Sequence, residues 1–422
     1  GSVITVSSVR EALPYAAQAF YGYPDRNLKI VGVTGTNGKT TVTYILESIF
    51  RKSRRRAGVV GTVSSRFEKW EKESRLTTPE AREIFEFLSR VLSGGGEAVF
   101  MEISSHSLAL KRVESLSFEG AVFLNLTQDH LDFHKNLEEY KKAKFHLFDL
   151  LKEGKFAVVN EDDAAGKELV PYGRSRGLDV ISFGEKKSDV SFGVLRSGWD
   201  GIEFNVSGSR KPYSLPLLGS YNAQNACAAI IVSRKLGISD EKMRKGLETL
   251  REVPGRLNKI EVNARRNIRV VVDFAHTPDA MKKTLEILKQ LPHNRLIALF
   301  GCGGDRDRTK RPLMGEAAVE LCDFVFLTSD NPRTEDPEKI ILDIMLGIKK
   351  AGKENYKIVQ DRSSAIMEAV RMLDKGDVLA LLGKGHEKVQ IVGEQRIPFS
   401  DYGTVMKYLK ERFGAESVSG MH

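Results

Sequence analysis

Gly35-Thr36-Asn37-Gly38-Lys39-Thr40 follows the apolar run Leu28–Val33. It opens a stretch in which Val42, Ile45, Leu46, Ile49 and Phe50 recur at helical spacing. A strand, a glycine turn and a helix N-terminus therefore follow one another. That order points backbone N–H groups and the positive end of a helix dipole at one spot, which suits a phosphate. The glycines let the backbone come close, Lys39 supplies a mobile positive charge, and Thr40 offers a hydroxyl able to ligate Mg²⁺. The spacing departs from the general P-loop pattern. The expected first glycine falls on Val33, with Gly32 and Gly35 on either side. A glycine turn without a ligand is the alternative, but Gly-Lys-Thr stands where phosphate binding requires it.

Similar runs extend outward from this stretch. Ala98–Ile103, Ala121–Leu126 and Phe156–Asn160 are short and apolar, separated by helical patterns. They predict a largely parallel, helix-covered sheet. A second alternating series begins after Pro254-Gly255-Arg256, with strands expected at Ile268–Val272, Arg295–Phe300, Phe324–Leu327 and Val378–Leu382. Polar clusters stand at strand ends, where open α/β sheets bind ligands: Thr34–Thr40, Glu102–His106, Asn125–His130, Asp273–His276, Gly301–Asp307 and Asp330–Arg333. The expected fold is α/β: a central P-loop domain with a mostly parallel sheet over 29–257, then a Rossmann-like α/β domain over 258–422. Residues 1–28 read as a linker or remnant of a further domain.

The chain has 422 residues, 41% hydrophobic and 29% charged, enough to bury sizeable cores. Its net charge of +9 lacks a basic stripe with interleaved aromatics, so a polyanionic small substrate is expected rather than nucleic acid. The basic run Arg51–Arg56 sits at the end of the first helix, where it favours the dipole. Cys227, Cys302 and Cys322 are widely spaced, in no metal or disulfide pattern, and point to a reducing, cytoplasmic compartment. No apolar run approaches the roughly 18 residues of a membrane span, so no membrane partner is expected.

Taken singly, the polar residues are ambiguous. Glu102 reads equally as a metal ligand or a strand-exit charge. His130 reads as a ligand or a capping histidine, and Lys144, inside a helical pattern, as an ordinary solvated lysine. Their order changes this. The chain resembles the Mur ligase family, ATP-dependent amino-acid ligases of peptidoglycan synthesis, through a set of ordered stretches. These are Gly35–Thr40, Glu102–His106, Asn125–Asp132, Tyr140–Phe148, Gly219–Asn222 and Asp273–Pro278. It looks most like the branch that adds the third peptide residue to UDP-N-acetylmuramoyl-L-alanyl-D-glutamate.

The resemblance implies a division of labour. Gly35, Thr36, Asn37, Gly38, Lys39, Thr40, Thr41, Asn222, Asn225, Arg256, Asp273 and His276 are expected to bind ATP. Thr40, Glu102, His130 and a carbamylated Lys144 are expected to hold Mg²⁺, with Lys39, Glu102, His130 and Lys144 as catalytic residues. Thr77, Thr78, Ser104, Ser105 and Arg112 are expected to meet the UDP-muramoyl-dipeptide; Leu110 stands where a glutamine is expected. Arg306, Asp330, Asn331, Arg333, Gly383 and Glu387 are expected to bind meso-diaminopimelate.

Arg333 is the specificity clue. In this branch an arginine here accompanies diaminopimelate and its loss accompanies lysine. A planar guanidinium binds the distal carboxylate through two parallel hydrogen bonds, and lysine lacks that group. The implied reaction proceeds through an acyl phosphate, attacked by the amine. Members usually carry an N-terminal domain for the uridine end, and Val3–Phe20 looks like its tail. A monomer is expected. The competing readings are an L-lysine-adding relative, a folylpolyglutamate synthetase-like ligase, and a nucleotide-binding amidotransferase partner without ligase chemistry.

Overall fold

The computed structural model describes residues 5–129, 133–262 and 266–420. The chain divides into two compact units, Gly1–Leu250 and Arg251–His422. The sequence reading drew the division at 257/258; the segment from Arg251 to Leu257 goes with the second unit.

In the first unit the strands are β1 Lys29–Thr34, β2 Ala57–Val60, β3 Ser64–Phe67, β4 Trp70–Glu73, β5 Ala98–Glu102, β6 Phe118–Phe123, β7 Phe156–Asn160, β8 Asp179–Gly184, β9 Val190–Gly198, β10 Gly201–Val206 and β11 Tyr213–Leu215. Among the described residues they form one sheet, in the order β11-β10-β9-β8-β7-β6-β1-β5-β2-β3-β4. The strands from β2 across to β9 pair in parallel. Antiparallel strands extend both edges. The mostly parallel expectation holds at the centre.

The reason lies in the side-chain period of two. Ile30, Val99, Met101, Ala121, Phe123, Ala157 and Val159 join one core with Ile84, Phe85, Leu88, Leu147 and Phe148 from helices. The alternate residues Val31, Val33, Phe100, Val122 and Val158 are equally buried. Both faces are therefore covered, which is what near-continuous apolar strands require. Each fully buried side chain of this size contributes about 1.5–3 kcal/mol. The helix Lys39–Lys52 buries Val42, Ile45, Leu46, Ile49 and Phe50, the stripe read from its spacing.

One strand shifted. The run Ala121–Leu126 was expected; the sheet takes Phe118–Phe123. Glu119 and Gly120 hid its start. Leu124 makes one further bond to Thr34 O at 3.0 Å, and Asn125 leaves the sheet to hold the phosphate loop.

The second unit contains β12 Asn258–Val262, β13 Ile268–Asp273, β14 Leu296–Phe300, β15 Phe324–Leu327, β16 Tyr356–Ile358, β17 Val378–Leu382 and β20 Val418–Gly420, with a separate hairpin of β18 Val389–Val392 and β19 Gln395–Pro398. The larger sheet runs β16-β15-β14-β17-β13-β12-β20. It is parallel from β16 to β13 and antiparallel at β12 and β20. Val270, Val272, Ile297, Leu299, Leu379 and Leu381 pack with Ala365, Ile366, Val405 and Leu409 in its core. This is the expected Rossmann-like arrangement.

Candidate active site

The phosphate loop leaves the carboxyl end of β1, whose two neighbours are β5 and β6. Connections diverge to either side there, so the crevice is open to a ligand. Gly35 has φ +153° and Gly38 has φ +91°, the latter as N-cap of Lys39–Lys52. A side chain on Gly38 would collide with Asn225 Oδ1, and one on Gly35 would meet Leu124 Cβ at 2.9 Å. Asn125 clamps the loop: its Oδ1 accepts from Asn37 N at 2.8 Å and its Nδ2 donates to Asn37 O at 3.1 Å. Thr36 Oγ1 donates to Thr127 O and accepts from Thr127 N, at 3.2 and 3.0 Å. Lys39 Nζ donates to Gly35 O at 2.7 Å and Thr36 O at 2.9 Å, folded over its own loop. Asn225 donates to Asn222 Oδ1 at 2.9 Å, so the start of Asn222–Lys235 reaches the loop. Thr41 lies buried in the first turn of Lys39–Lys52.

Glu102, at the end of β5, is 1% exposed. Its Oε2 accepts from Thr40 Oγ1 at 2.9 Å and Thr62 Oγ1 at 2.8 Å, and its Oε1 accepts from Thr62 N at 2.9 Å. A Cβ on Gly61 would lie inside contact distance of this carboxylate. The cradle was not legible in the sequence. Gly61 and Thr62 carry no motif, and only the parallel pairing of β2 with β5 brings them here. Among the described residues no three His, Cys, Asp or Glu side chains converge as a metal-binding group. The donor set is a hydroxyl beside a carboxylate, next to a phosphate loop. That fits Mg²⁺, which takes few protein oxygens and completes its shell with water and phosphate. His130 lies outside the described residues.

Lys144 is not the solvated lysine that a helix pattern suggests. It is 1% exposed on Leu137–Asp149, with Nζ 4.4 Å from the Tyr140 ring centroid. Burial, and then the positive charge of Lys39, hold its pKa well below the ordinary lysine value, while the charge of Asp129 favours its protonated form. Burial and Lys39 both shift the balance toward the neutral amine. Tyr140 approaches Thr36 Oγ1 at 3.3 Å, which links this lysine to the phosphate loop.

Beside Glu102, Thr78 Oγ1 donates to Glu102 O at 2.8 Å and accepts from Ser104 N at 3.0 Å. Thr77 Oγ1 accepts from Thr62 at 3.2 Å. Arg112 donates to Thr78 O at 3.2 Å and pairs with Glu80 at 2.8 Å. Ser104 caps the short helix Ser105–Ala109. Ser105 Oγ lies 2.9 Å from His134 Nε2, a buried pair that the sequence did not single out. Thr77, Thr78, Ser104, Ser105 and Arg112 thus gather around the end of β5.

In the second unit, Asp273 ends β13. Its Oδ2 accepts from Leu257 N at 2.7 Å and its Oδ1 from Ala275 N at 2.8 Å. Burial raises its pKa, against the opposing charge of Arg256. Asp273 thereby fixes the turn that carries Arg256, whose guanidinium lies 5.1 Å from the Phe274 ring centroid. His276 Nδ1 lies 2.8 Å from Phe274 O.

The ends of β14, β15 and β17 meet at the arginine cluster. A Cβ on Gly303 would find Arg333 Nη1 at 2.9 Å and Arg306 Cγ at 3.9 Å, so both arginines flank one glycine. Burial, and then Arg306, hold the Arg333 pKa below its ordinary value. Arg333 sits at φ +52° and donates to Gly304 O at 2.6 Å. Asp330 packs against Gly383, whose φ is +105° and whose added Cβ would meet Asp330 Oδ2 at 2.7 Å. Asn331 Nδ2 donates to Glu387 Oε2 at 2.8 Å. Lys384, fully buried, donates to Asn331 Oδ1 at 3.1 Å, Glu387 Oε2 at 2.8 Å and Val389 O at 2.8 Å. Sequence reading passed over Lys384 because a lysine in a glycine loop looks solvated. The buried pair Arg362–Asp401, at 2.6 Å, also escaped it; Arg362 donates to Leu382 O at 3.0 Å and so braces the end of β17.

Residues 33–233 match the Mur ligase middle domain, and residues 255–385 the Mur ligase glutamate ligase domain. The chain is 42% identical over 415 residues to UDP-N-acetylmuramoyl-L-alanyl-D-glutamate–2,6-diaminopimelate ligase 1 of Clostridium acetobutylicum, covering 98% of this chain and 84% of that protein. A solved structure of a UDP-N-acetylmuramoyl-L-alanyl-D-glutamate–2,6-diaminopimelate ligase superposes with a TM-score of 0.66 at 32% identity, over 97% and 86% of the two chains. Folylpolyglutamate synthase of Mycobacterium tuberculosis, solved with ADP and AMPPCP, shares the fold: TM-score 0.70, 18% identity, 88% and 91% covered. The phosphate-loop fold and these relatives make this protein an ATP-dependent amide ligase. The chain belongs to the Mur ligase family.

Proposed function

We propose that this chain joins meso-diaminopimelate to the D-glutamyl γ-carboxylate of UDP-N-acetylmuramoyl-L-alanyl-D-glutamate, with cleavage of ATP to ADP and phosphate. The observation that carries the amine's identity is the pair Arg306 and Arg333 around Gly303. The charge of Arg306 acts against that of Arg333, and a carboxylate between them removes the repulsion while accepting charge-assisted hydrogen bonds. The ammonium end of the amino acid falls to Asp330 and Glu387, with Asn331, Lys384 and Gly383 holding those carboxylates in place.

On the first unit, the amides of Gly35–Thr40 bind ATP phosphates, and Lys39 leaves the Gly35 and Thr36 carbonyls to do the same. Thr40 and Glu102 would hold Mg²⁺, and the family resemblance assigns His130 to it as well. When bound, that ion offsets the charge of phosphate and acceptor carboxylate. Asn222 and Asn225 shape the loop, while Arg256 and His276, presented by Asp273, meet the nucleotide. Thr77, Thr78, Ser104, Ser105 and Arg112 receive the muramoyl-dipeptide and aim its carboxylate at the γ-phosphate. The unprotonated amine of Lys144 attacks CO₂ and releases one proton to solvent, which leaves a carbamate anion beside the phosphate loop. Its burial supports this, since only the unprotonated amine is nucleophilic.

The test is ATP-dependent phosphate release with the muramoyl-dipeptide and either meso-diaminopimelate or L-lysine. Release with diaminopimelate is expected. Activity with lysine alone would refute the assignment resting on Arg333.

A further inference from the structure

Two loops carry the arginine pair; one of them is also bridged to the hairpin strand β18, where Arg333 N donates to Ile391 O at 3.1 Å and Gly393 N donates to Arg333 O at 2.7 Å. Asp305 and Arg333 both adopt left-handed backbone, at φ +53° and +52°. A side chain on Gly304 would collide with Pro332 O, so the loops touch. A separate set of charged side chains ties them. Arg311, fully buried, grips Glu335 through Nη1–Oε2 at 3.0 Å and Nη2–Oε1 at 2.9 Å. The same guanidinium donates to Gly303 O at 3.2 Å and Asp343 Oδ2 at 2.8 Å. Glu335 Oε1 accepts from Asp305 N at 2.6 Å, and Arg308 pairs with Glu335 at 2.9 Å. Across the gap, Asp305 Oδ1 accepts from Thr334 Oγ1 at 2.7 Å and Oδ2 from Thr334 N at 3.2 Å.

We propose that Glu335, clamped by Arg311, is a specificity-determining positioning residue: it sets the spacing of Arg306 and Arg333, and hence the preference for an amino acid with a distal carboxylate. The Glu335 carboxylate only accepts, and it faces Arg311, Arg308 and the Asp305 amide. Its function is to lock one loop to the other. Among the described residues, its side-chain bonds go to Asp305, Arg308 and Arg311, and it lies two positions from Arg333. A carboxylate bound between two arginines needs both at fixed separation, whereas a lysine substrate does not use that separation. The bracket therefore acts on one substrate class only. This inference rests on the diaminopimelate reading above.

Steady-state kinetics of Glu335→Gln with each amino acid tests it. Misplacement of a guanidinium by about 1 Å is expected to raise the diaminopimelate KM about tenfold or more. The KM for ATP stays unchanged, so the preference for diaminopimelate over lysine in kcat/KM falls by the same factor. A purely structural role would lower Tm, or all kinetic parameters together, with the preference intact; that result overturns the proposal. Thr334→Val, which removes only the outer hydroxyl bond to Asp305, provides a second measurement should Glu335→Gln not fold. It is expected to lower the preference by about threefold, the loss of one modest hydrogen bond, and an unchanged preference overturns the proposal. Wild-type turnover with diaminopimelate reports on the substrate reading, and the variant-to-wild-type ratio on the bracket.

Discussion

Gly61→Ala isolates the carboxylate cradle without touching any ligand group. Gly61 has no positive φ, so alanine meets no backbone strain there. The added Cβ, however, would lie 2.9 Å from Glu102 Cδ and closer still to Oε1, where ordinary contact begins at 3.4 Å. The carboxylate must retreat by roughly 0.5–1 Å, and overpacking of this kind costs about 1–3 kcal/mol. Retreat breaks bonds of 2.8 to 2.9 Å from Thr40 and Thr62. A reacting-group misplacement near 1 Å costs about 10²-fold in rate. The expected result is a fall of about 10²-fold in phosphate release with a higher Mg²⁺ requirement, and a Tm lower by several degrees. Magnesium titration of the rate, with nucleotide binding measured alongside, separates the effects. Wild-type rate and Mg²⁺ dependence in a folded Gly61→Ala protein would refute the placement of Glu102 at the metal.

Lys144→Ala should cut turnover by at least about 10²-fold, as expected for loss of a preorganised charge. Small carboxylic acids should restore part of it, and ¹³C-bicarbonate should label the wild-type lysine in an NMR spectrum; unchanged turnover without added acid would sink the carbamate. Arg333→Ala removes hydrogen bonds to a charged group worth about 1.5–3 kcal/mol, or roughly 10–150-fold in diaminopimelate KM. Lysine turnover should not fall with it; a parallel loss would tell against the clamp. His146 lies 3.4 Å from Asp149 and 2.9 Å from Glu114, and those carboxylates raise its pKa from 6.5 to about 8. Its protonated form is favoured in the fold, so its contribution is full below pH 6.5 and lost as pH rises through about 8. Half-exposure keeps the effect small. Thermal melts across that window should fall less steeply for His146→Gln, and identical slopes would refute the coupling.

Local pattern explains what could be read early. The apolar strands and the stripe Val42–Phe50 follow from periods of two and about 3.6, which need no tertiary information. The phosphate loop was legible for the same reason, since strand, turn and helix are consecutive. Arg333 was singled out only through a resemblance, because an arginine after Asn-Pro carries no pattern of its own. Ala121–Leu126 was misplaced because Glu119 and Gly120 break the apolar run where β6 begins. Gly61 and Thr62 escaped notice because strand order, not sequence distance, sets them against Glu102.

By itself, then, the sequence determined two α/β series, the phosphate loop and the ordered polar clusters at the strand ends. Each of these is encoded by neighbours along the chain. Tertiary structure alone decided that Lys144 is buried beneath Tyr140, that Asn125 grips the loop, and that Arg311 and Glu335 tie two arginine loops together. Burial and partner choice depend on which elements pack side by side. A lysine on a helix looks solvated until a second element removes its water, and that removal is what changes its chemistry.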